Sequence, residues 1–191
     1  MAIYKFLHII FVYSYFECQN WCPNPVFHAL VLMRHIKAIK LDWSNIADDG
    51  NGSLRMACKS TKPLWIVFDV SGVIMLSSAI KVQSFKTIDG RGQRVKLMGN
   101  GLQLRECEHV IICNLEFEGG RGHDVDGIQL KPNSKHVWID RCSLSDYDDG
   151  LIDITRQCTD ITVSRWPLQL FSYGTKVMPV GSFVIHFVLE M

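Results

Sequence analysis

The chain has 191 residues, 48% of them apolar, and its 20 Lys and Arg stand almost level with 19 Asp and Glu for a formal charge of +1. That length and apolar share specify one domain with a sizeable core, and a near-neutral balance without a basic stripe excludes a broad nucleic-acid surface. Seven cysteines, at positions 18, 22, 58, 107, 113, 142 and 158, show no paired CxxC spacing, which excludes a zinc finger or ribbon and leaves buried thiols or a disulfide, with Cys107–Cys113 and Cys142–Cys158 as the pairs to consider.

Residues 1–45 come first. Met1 to Phe16 carries one lysine and then an apolar stretch of roughly signal-peptide length, interrupted by His8 and lacking a clear small-x-small cleavage site. It reads as a weak secretion signal, set against a buried amphipathic or disordered segment, and it is too short for a membrane span of roughly 20 apolar residues.

From about Asp48 the character changes to short β-branched runs separated by Gly, Asn and Asp, as in Trp65-Ile-Val-Phe-Asp-Val-Ser-Gly and Thr87-Ile-Asp-Gly-Arg-Gly. No helical period emerges, so residues 46–165 read as all-β. Two series of segments recur in step. Gly101-Leu-Gln-Leu, Gly127-Ile-Gln-Leu and Gly150-Leu-Ile-Asp make the first, and His109-Val-Ile-Ile, His136-Val-Trp-Ile and Asp160-Ile-Thr-Val make the second, each following its partner by a similar interval. A period of roughly 25 residues built of short strands is what one coil of a right-handed parallel β-helix requires. Ile111, Val137 and Ile161 are then expected to stack inward as an aliphatic ladder, with Trp138 also in the core. A leucine-rich repeat lacks its signature here, and an antiparallel sandwich does not account for the doubled register.

Acidic residues concentrate in Gly122-His-Asp-Val-Asp-Gly-Ile and Asp146-Tyr-Asp-Asp-Gly-Leu-Ile-Asp-Ile, which lead into equivalent strands of neighbouring coils. Asp124 and Asp126 are two apart, and Asp149 and Asp153 four apart, so each pair shares a side of an extended segment, and stacking brings all four together. Crowded carboxylates raise one another's pKa unless a cation neutralises them, and hard oxygen donors suit Ca²⁺. Aspartates that cap turns beside glycine are the competing reading. The twelve-residue loop of an EF-hand is absent. Lys131, Lys135, Arg141, Arg156 and Arg165 are candidates for an anionic groove, although exposed cations are usually solvated surface.

The motifs Trp65-Ile-Val-Phe-Asp-Val-Ser-Gly, Thr87-Ile-Asp-Gly-Arg-Gly, Val137-Trp-Ile-Asp-Arg-Cys-Ser-Leu and Asp149-Gly-Leu-Ile-Asp-Ile, spread over roughly Ile46 to Arg165, resemble the plant pectate lyases. The resemblance implies a parallel β-helix, secretion to the cell wall, a monomer, and Ca²⁺-dependent eliminative cleavage of pectate, with Asp124, Asp126, Asp149 and Asp153 as the calcium ligands. In that family the proton-abstracting arginine sits in an Arg-x-Pro-x-x-Arg element on a later coil. This sequence holds no such element, so no catalytic base is assigned, and Lys176 does not match the family's substrate-binding lysine. Residues 166–191 lose the repeat, and the chain is expected to be a truncated lyase with impaired activity. A calcium-dependent pectin-binding module is the alternative, and a hydrolase using paired aspartates on the same scaffold is the rival enzyme.

Overall fold

The structure, a computed structural model, describes residues 37–41, 46–165, 175–177 and 185–188, all within the compact unit His35–Met191. The secretion-signal segment at residues 1–16 and most of the divergent tail at 166–191 lie outside the described residues. Among the described residues no helix is long and apolar enough to cross a membrane.

Short strands form three parallel sheets. The first contains β1 (Lys37–Leu41), β2 (Leu64–Phe68), β5 (Lys86–Asp89), β8 (Glu108–Cys113), β11 (Lys135–Asp140), β14 (Thr159–Ser164) and β16 (Ile185–Val188), paired in that order. The second contains β4 (Ile80–Val82), β7 (Leu102–Leu104), β10 (Asp126–Leu130), β13 (Gly150–Ile154) and β15 (Thr175–Val177). β3 (Gly72–Met75), β6 (Val95–Met98), β9 (Glu116–Glu118) and β12 (Ser143–Ser145) make the third. Each coil gives one strand to each sheet in turn, which is a right-handed parallel β-helix, the hand that crossovers between parallel strands almost always take. The helix α1 (Leu54–Lys59) packs on β4, its first turn capped by Ser53, whose hydroxyl accepts from the Met56 N–H at 3.2 Å.

The core is a set of columns of like residues, one per coil. Ile66, Ile88, Ile112, Ile139 and Val163 stack in the first sheet, and Ile80, Leu102, Ile128 and Ile152 in the second. All are buried. A fully buried residue of this kind contributes ~1.5–3 kcal/mol relative to exposure, so the repeated aliphatic positions drive the coils together. One column holds a charge: Leu64, Lys86, Val110, Val137 and Ile161 are in register. Lys86 is fully buried and donates to the Lys62 and Ser84 carbonyls at 2.9 Å each.

This register corrects three expectations, and of the two readings of the cysteines it bears out buried thiols. Val110, not Ile111, aligns with Val137 and Ile161; Ile111 aligns with Trp138 and Thr162 on the opposite face, because each step along a strand reverses the side. Trp138 is accordingly half-buried and faces outward, its indole N–H donating to Ser164 Oγ at 2.7 Å. In the second sheet Asp126, not Gly127, stands opposite Gly150, so the second interval there equals the one from His136 to Asp160 in the first sheet. Neither cysteine pair is bonded: Cys58, Cys107, Cys113, Cys142 and Cys158 are all buried thiols. Cys107 precedes β8 and Cys113 ends it, which sets them ~20 Å apart at ~3.3 Å per residue, whereas a disulfide requires Cα atoms within about 7 Å. Cys142 follows β11 and Cys158 precedes β14, opposite ends of adjacent parallel strands.

The corners are made by non-glycine residues in the left-handed region. Phe85, His109, His136 and Asp160 (φ 59, 58, 54 and 53°) turn the chain into successive strands of the first sheet, and Asn114, Arg141 and Arg165 (φ 56, 49 and 52°) turn it out again. Each such residue costs about 1–2 kcal/mol in isolation, which the stacked coils offset.

Candidate metal centre

The outward row of the second sheet runs Lys81, Gln103, Gln129 and Asp153, and the backbone of Lys176 is the register partner of Asp153. Asp153 stands on β13 one coil beyond Gln129. Asp126 opens β10, and Asp124 lies in the turn before it with φ 59°. That left-handed turn, rather than an extended run, swings Asp124 back over the sheet. Asp124, Asp126 and Asp153 each offer a carboxylate oxygen within 4.8 Å of the other two. Asp126 and Asp153 are buried, and Asp124 is exposed.

Two glutamines hold the group in place. Gln129 Nε2 donates to Asp126 Oδ2 at 2.7 Å, to the Asp124 main-chain carbonyl at 2.7 Å and to Asp124 Oδ1 at 3.3 Å. Its Oε1 accepts from Gln103 Nε2 at 3.0 Å, which fixes which end of the amide faces the carboxylates. Lys131, just past the end of β10, places Nζ 3.0 Å from Asp124 Oδ1 and 3.6 Å from Asp153 Oδ2.

The fourth sequence candidate, Asp149, is not in this group; it precedes Gly150, the register partner of Asp126. The remaining acids of its motif hold the loop of the coil before. Arg121 Nη2 pairs with Asp146, and Asp148 Oδ2 accepts the Gly122 N–H at 2.9 Å. The loop that delivers Asp124 is thereby tied to the following coil.

The donor set fits a calcium ion. Ca²⁺–oxygen distances of about 2.3–2.6 Å allow two ligands of one ion to stand up to about 5.2 Å apart, and the three oxygens meet that limit without rearrangement.

The basic candidates are mostly engaged elsewhere. Arg165 makes a two-pronged pair with Asp140, Nε to Oδ1 at 2.8 Å and Nη2 to Oδ2 at 2.6 Å, and Ser164 Oγ donates to the same carboxylate at 2.6 Å. Lys135 pairs with Glu108 at 3.0 Å. Arg141 and Arg156 are exposed.

Sequence reasoning passes over Gln103 and Gln129, although their recurrence as Gly-Leu-Gln-Leu and Gly-Ile-Gln-Leu is the available signal. It also passes over a second group, Glu108, His109 and His136. There the two imidazoles stack at 4.7 Å between centroids, Phe85 stacks on His109 at 5.2 Å, and Asp160 Oδ2 lies 3.1 Å from His136 Nε2. Face-to-face rings point their lone pairs side by side rather than at one point, so this group is a packed corner column. Burial first, and then the charge of His136, lower the pKa of His109.

Residues 75–182 match the family model described as pectate lyase. The chain is 42% identical over 135 residues to probable pectate lyase 4 of Arabidopsis thaliana, covering 68% of this chain and 36% of that protein. It is 36% identical over 160 residues to pectate lyase 2 of Ambrosia artemisiifolia, covering 74% and 39%. Among solved structures it resembles Jun a 1, the major allergen from cedar pollen, with a TM-score of 0.58 and 32% identity over 69% of this chain and 44% of that one. The chain thus spans under half the length of these relatives.

Proposed function

This chain belongs to the pectate lyase family, and from that premise we propose that Asp124, Asp126 and Asp153 hold a calcium ion against the uronate carboxylates of a de-esterified galacturonan. The observation that carries this reading is the convergence of three carboxylates within 4.8 Å, from the adjoining strands β10 and β13 and the turn that leads into β10, inside the stretch matched to the family. A bound Ca²⁺ would neutralise the carboxylates of both protein and saccharide and draw charge from the C6 carboxylate, which acidifies the C5 proton.

The protein's own residues have separate tasks. Gln129 and Gln103 orient the ligand oxygens, Asp146 and Asp148 fix the loop that carries Asp124, and the outward row of the second sheet forms the floor on which an extended saccharide lies. Eliminative cleavage further requires a base to take the C5 proton. The described residues contain no Arg-x-Pro-x-x-Arg element, so calcium-dependent binding is assigned to residues 46–165 and no residue is named as the base. The setting we assign is the extracellular cell wall, where the polymer is found, with the protein as a monomer.

The test is retention on immobilised polygalacturonate, together with absorbance of unsaturated product, in calcium and then in chelator. Calcium-dependent retention that Asp126→Asn abolishes is the expected result. Retention indifferent to chelator would overturn the reading. Unsaturated product from this chain would show that it also supplies a base.

A further inference from the structure

The carboxylate group already contains a cation. Lys131 Nζ lies 3.0 Å from Asp124 Oδ1 and 3.6 Å from Asp153 Oδ2, and its side chain is only 11% exposed, so the ammonium is held between two of the three ligands. The lysine backbone is pinned: its N–H donates to the Leu104 carbonyl at 2.7 Å, and its own carbonyl accepts from Ser134 Oγ at 2.9 Å and Cys158 Sγ at 3.3 Å. Only the side chain can move. An ion bound to Asp124 Oδ1 at about 2.6 Å would lie within about 6 Å of Nζ if the lysine stayed, and both cations would compete for the same lone pairs.

We propose that Lys131 is the resident counter-ion of this centre, occupying the place from which Asp124 and Asp153 take a divalent cation, so that calcium binds only by displacing it. The inference rests on the calcium reading above. Lys131 therefore sets the affinity: it holds the carboxylates together without metal and weakens metal binding by direct competition. It also confines occupancy to calcium-rich surroundings, since the ion must displace a charge already in place.

Calorimetric titration of the purified protein with CaCl₂ tests this. Lys131→Met is expected to bind calcium at least tenfold more tightly than the unaltered chain and to melt at a lower temperature in chelator. Equal or weaker affinity in Lys131→Met, with binding by the unaltered chain intact, overturns this inference and leaves the calcium reading standing. Absence of binding in both overturns the two together. Should Lys131→Met fail to fold, acetylation of the unaltered chain read by peptide mass spectrometry decides the matter. Calcium is expected to raise labelling of Lys131 several-fold relative to Lys135, and labelling that is unchanged or reduced refutes displacement.

Discussion

Replacing Gly101 with alanine should unfold the coil beneath the carboxylate group, although the backbone there is one that alanine adopts without strain. Gly101 has no positive φ, so only space forbids a side chain. A Cβ at this position would lie 2.0 Å from the Gly127 carbonyl oxygen, 2.3 Å from that of Asp126 and 2.5 Å from the Gly127 carbonyl carbon. All three are backbone atoms of the next coil and cannot rotate away. Ordinary contact requires roughly 1.2 Å more, a large fraction of the ~4.8 Å between paired strands. Such a shift breaks the pairing of β7 with β10 at Leu102, Gln103 and Leu104. Overpacking of this kind costs ~1–3 kcal/mol and each lost backbone hydrogen bond ~1 kcal/mol more, so ~3–5 kcal/mol is expected. Urea denaturation measures it, with Gly92→Ala as the comparison. There φ is 81° and nothing lies within 4 Å of the added carbon, so only the left-handed backbone is penalised, at about 1 kcal/mol. A cost for Gly101→Ala no greater than that for Gly92→Ala would refute the close approach of the two coils.

Stability should fall as the solution is acidified through the histidine corner. His109 has a lowered pKa in the folded state, set by burial and then by His136, with Glu108 opposing and Lys135 reinforcing the shift. The unfolded chain therefore takes up a proton near pH 6.5 while the folded chain does not, so stability is complete above pH 6.5 and declines below it. Melting temperatures at pH 7.5 and 5.5 should show the decline, and His109→Phe, which extends the Phe85 stack, should reduce it. Asp140→Ala strands Arg165, and because that guanidinium remains 22% exposed the cost is discounted to ~2–3 kcal/mol from the ~3–5 kcal/mol of a fully buried pair. Arg141→Ala, at an exposed side chain 3.9 Å from the same carboxylate, should cost under ~0.5 kcal/mol by the same denaturation assay. Burial pushes the Cys58 and Cys142 thiols up to about 12 and that of Cys107 up to about 11. Alkylation at pH 8 should thus be slow in the folded protein and rapid after unfolding.

The coil is legible because a β-helix writes its register into the chain: His109, His136 and Asp160 stand at equivalent corners in both the text and the structure. The register is ambiguous by one residue where glycine serves as the marker. Gly101 does stand below Gly127, but the glycine that opens β13 pairs with Asp126. A glycine marks a close approach or a bend, and either can fall one residue to the side. The reading that gives Trp138 an inward rung position fails because alternation along β11 puts it on the side opposite Val137. The carboxylate group does not follow from the period of two, since Asp126 has the parity of Ile128 and Asp153 that of Gln129; the turn at Asp124 and the place of Asp126 at the very start of β10 bring the oxygens together. Gln129 reaches Asp126 from three residues away, a contact that strand alternation does not foresee. Lys131 reads as one more cation of a groove because its significance lies in Asp153, on the next coil, and nothing local to a lysine reveals what that coil puts beside it.

Every strand pairing in the described structure joins residues one coil apart in the sequence. No contact in the sheets has to wait for a distant part of the chain, because the entropy of closing a loop is nearly the same for each turn and is met once per coil. Such a molecule can assemble by templating, each completed coil offering its open edge to the next. Damage likewise stays local, reaching the coils on either side and fading beyond them. The carboxylates sit on two consecutive coils and are oriented from a third, so the centre is complete only after assembly has run through β7, β10 and β13, and its ligands report that these neighbours have joined in register.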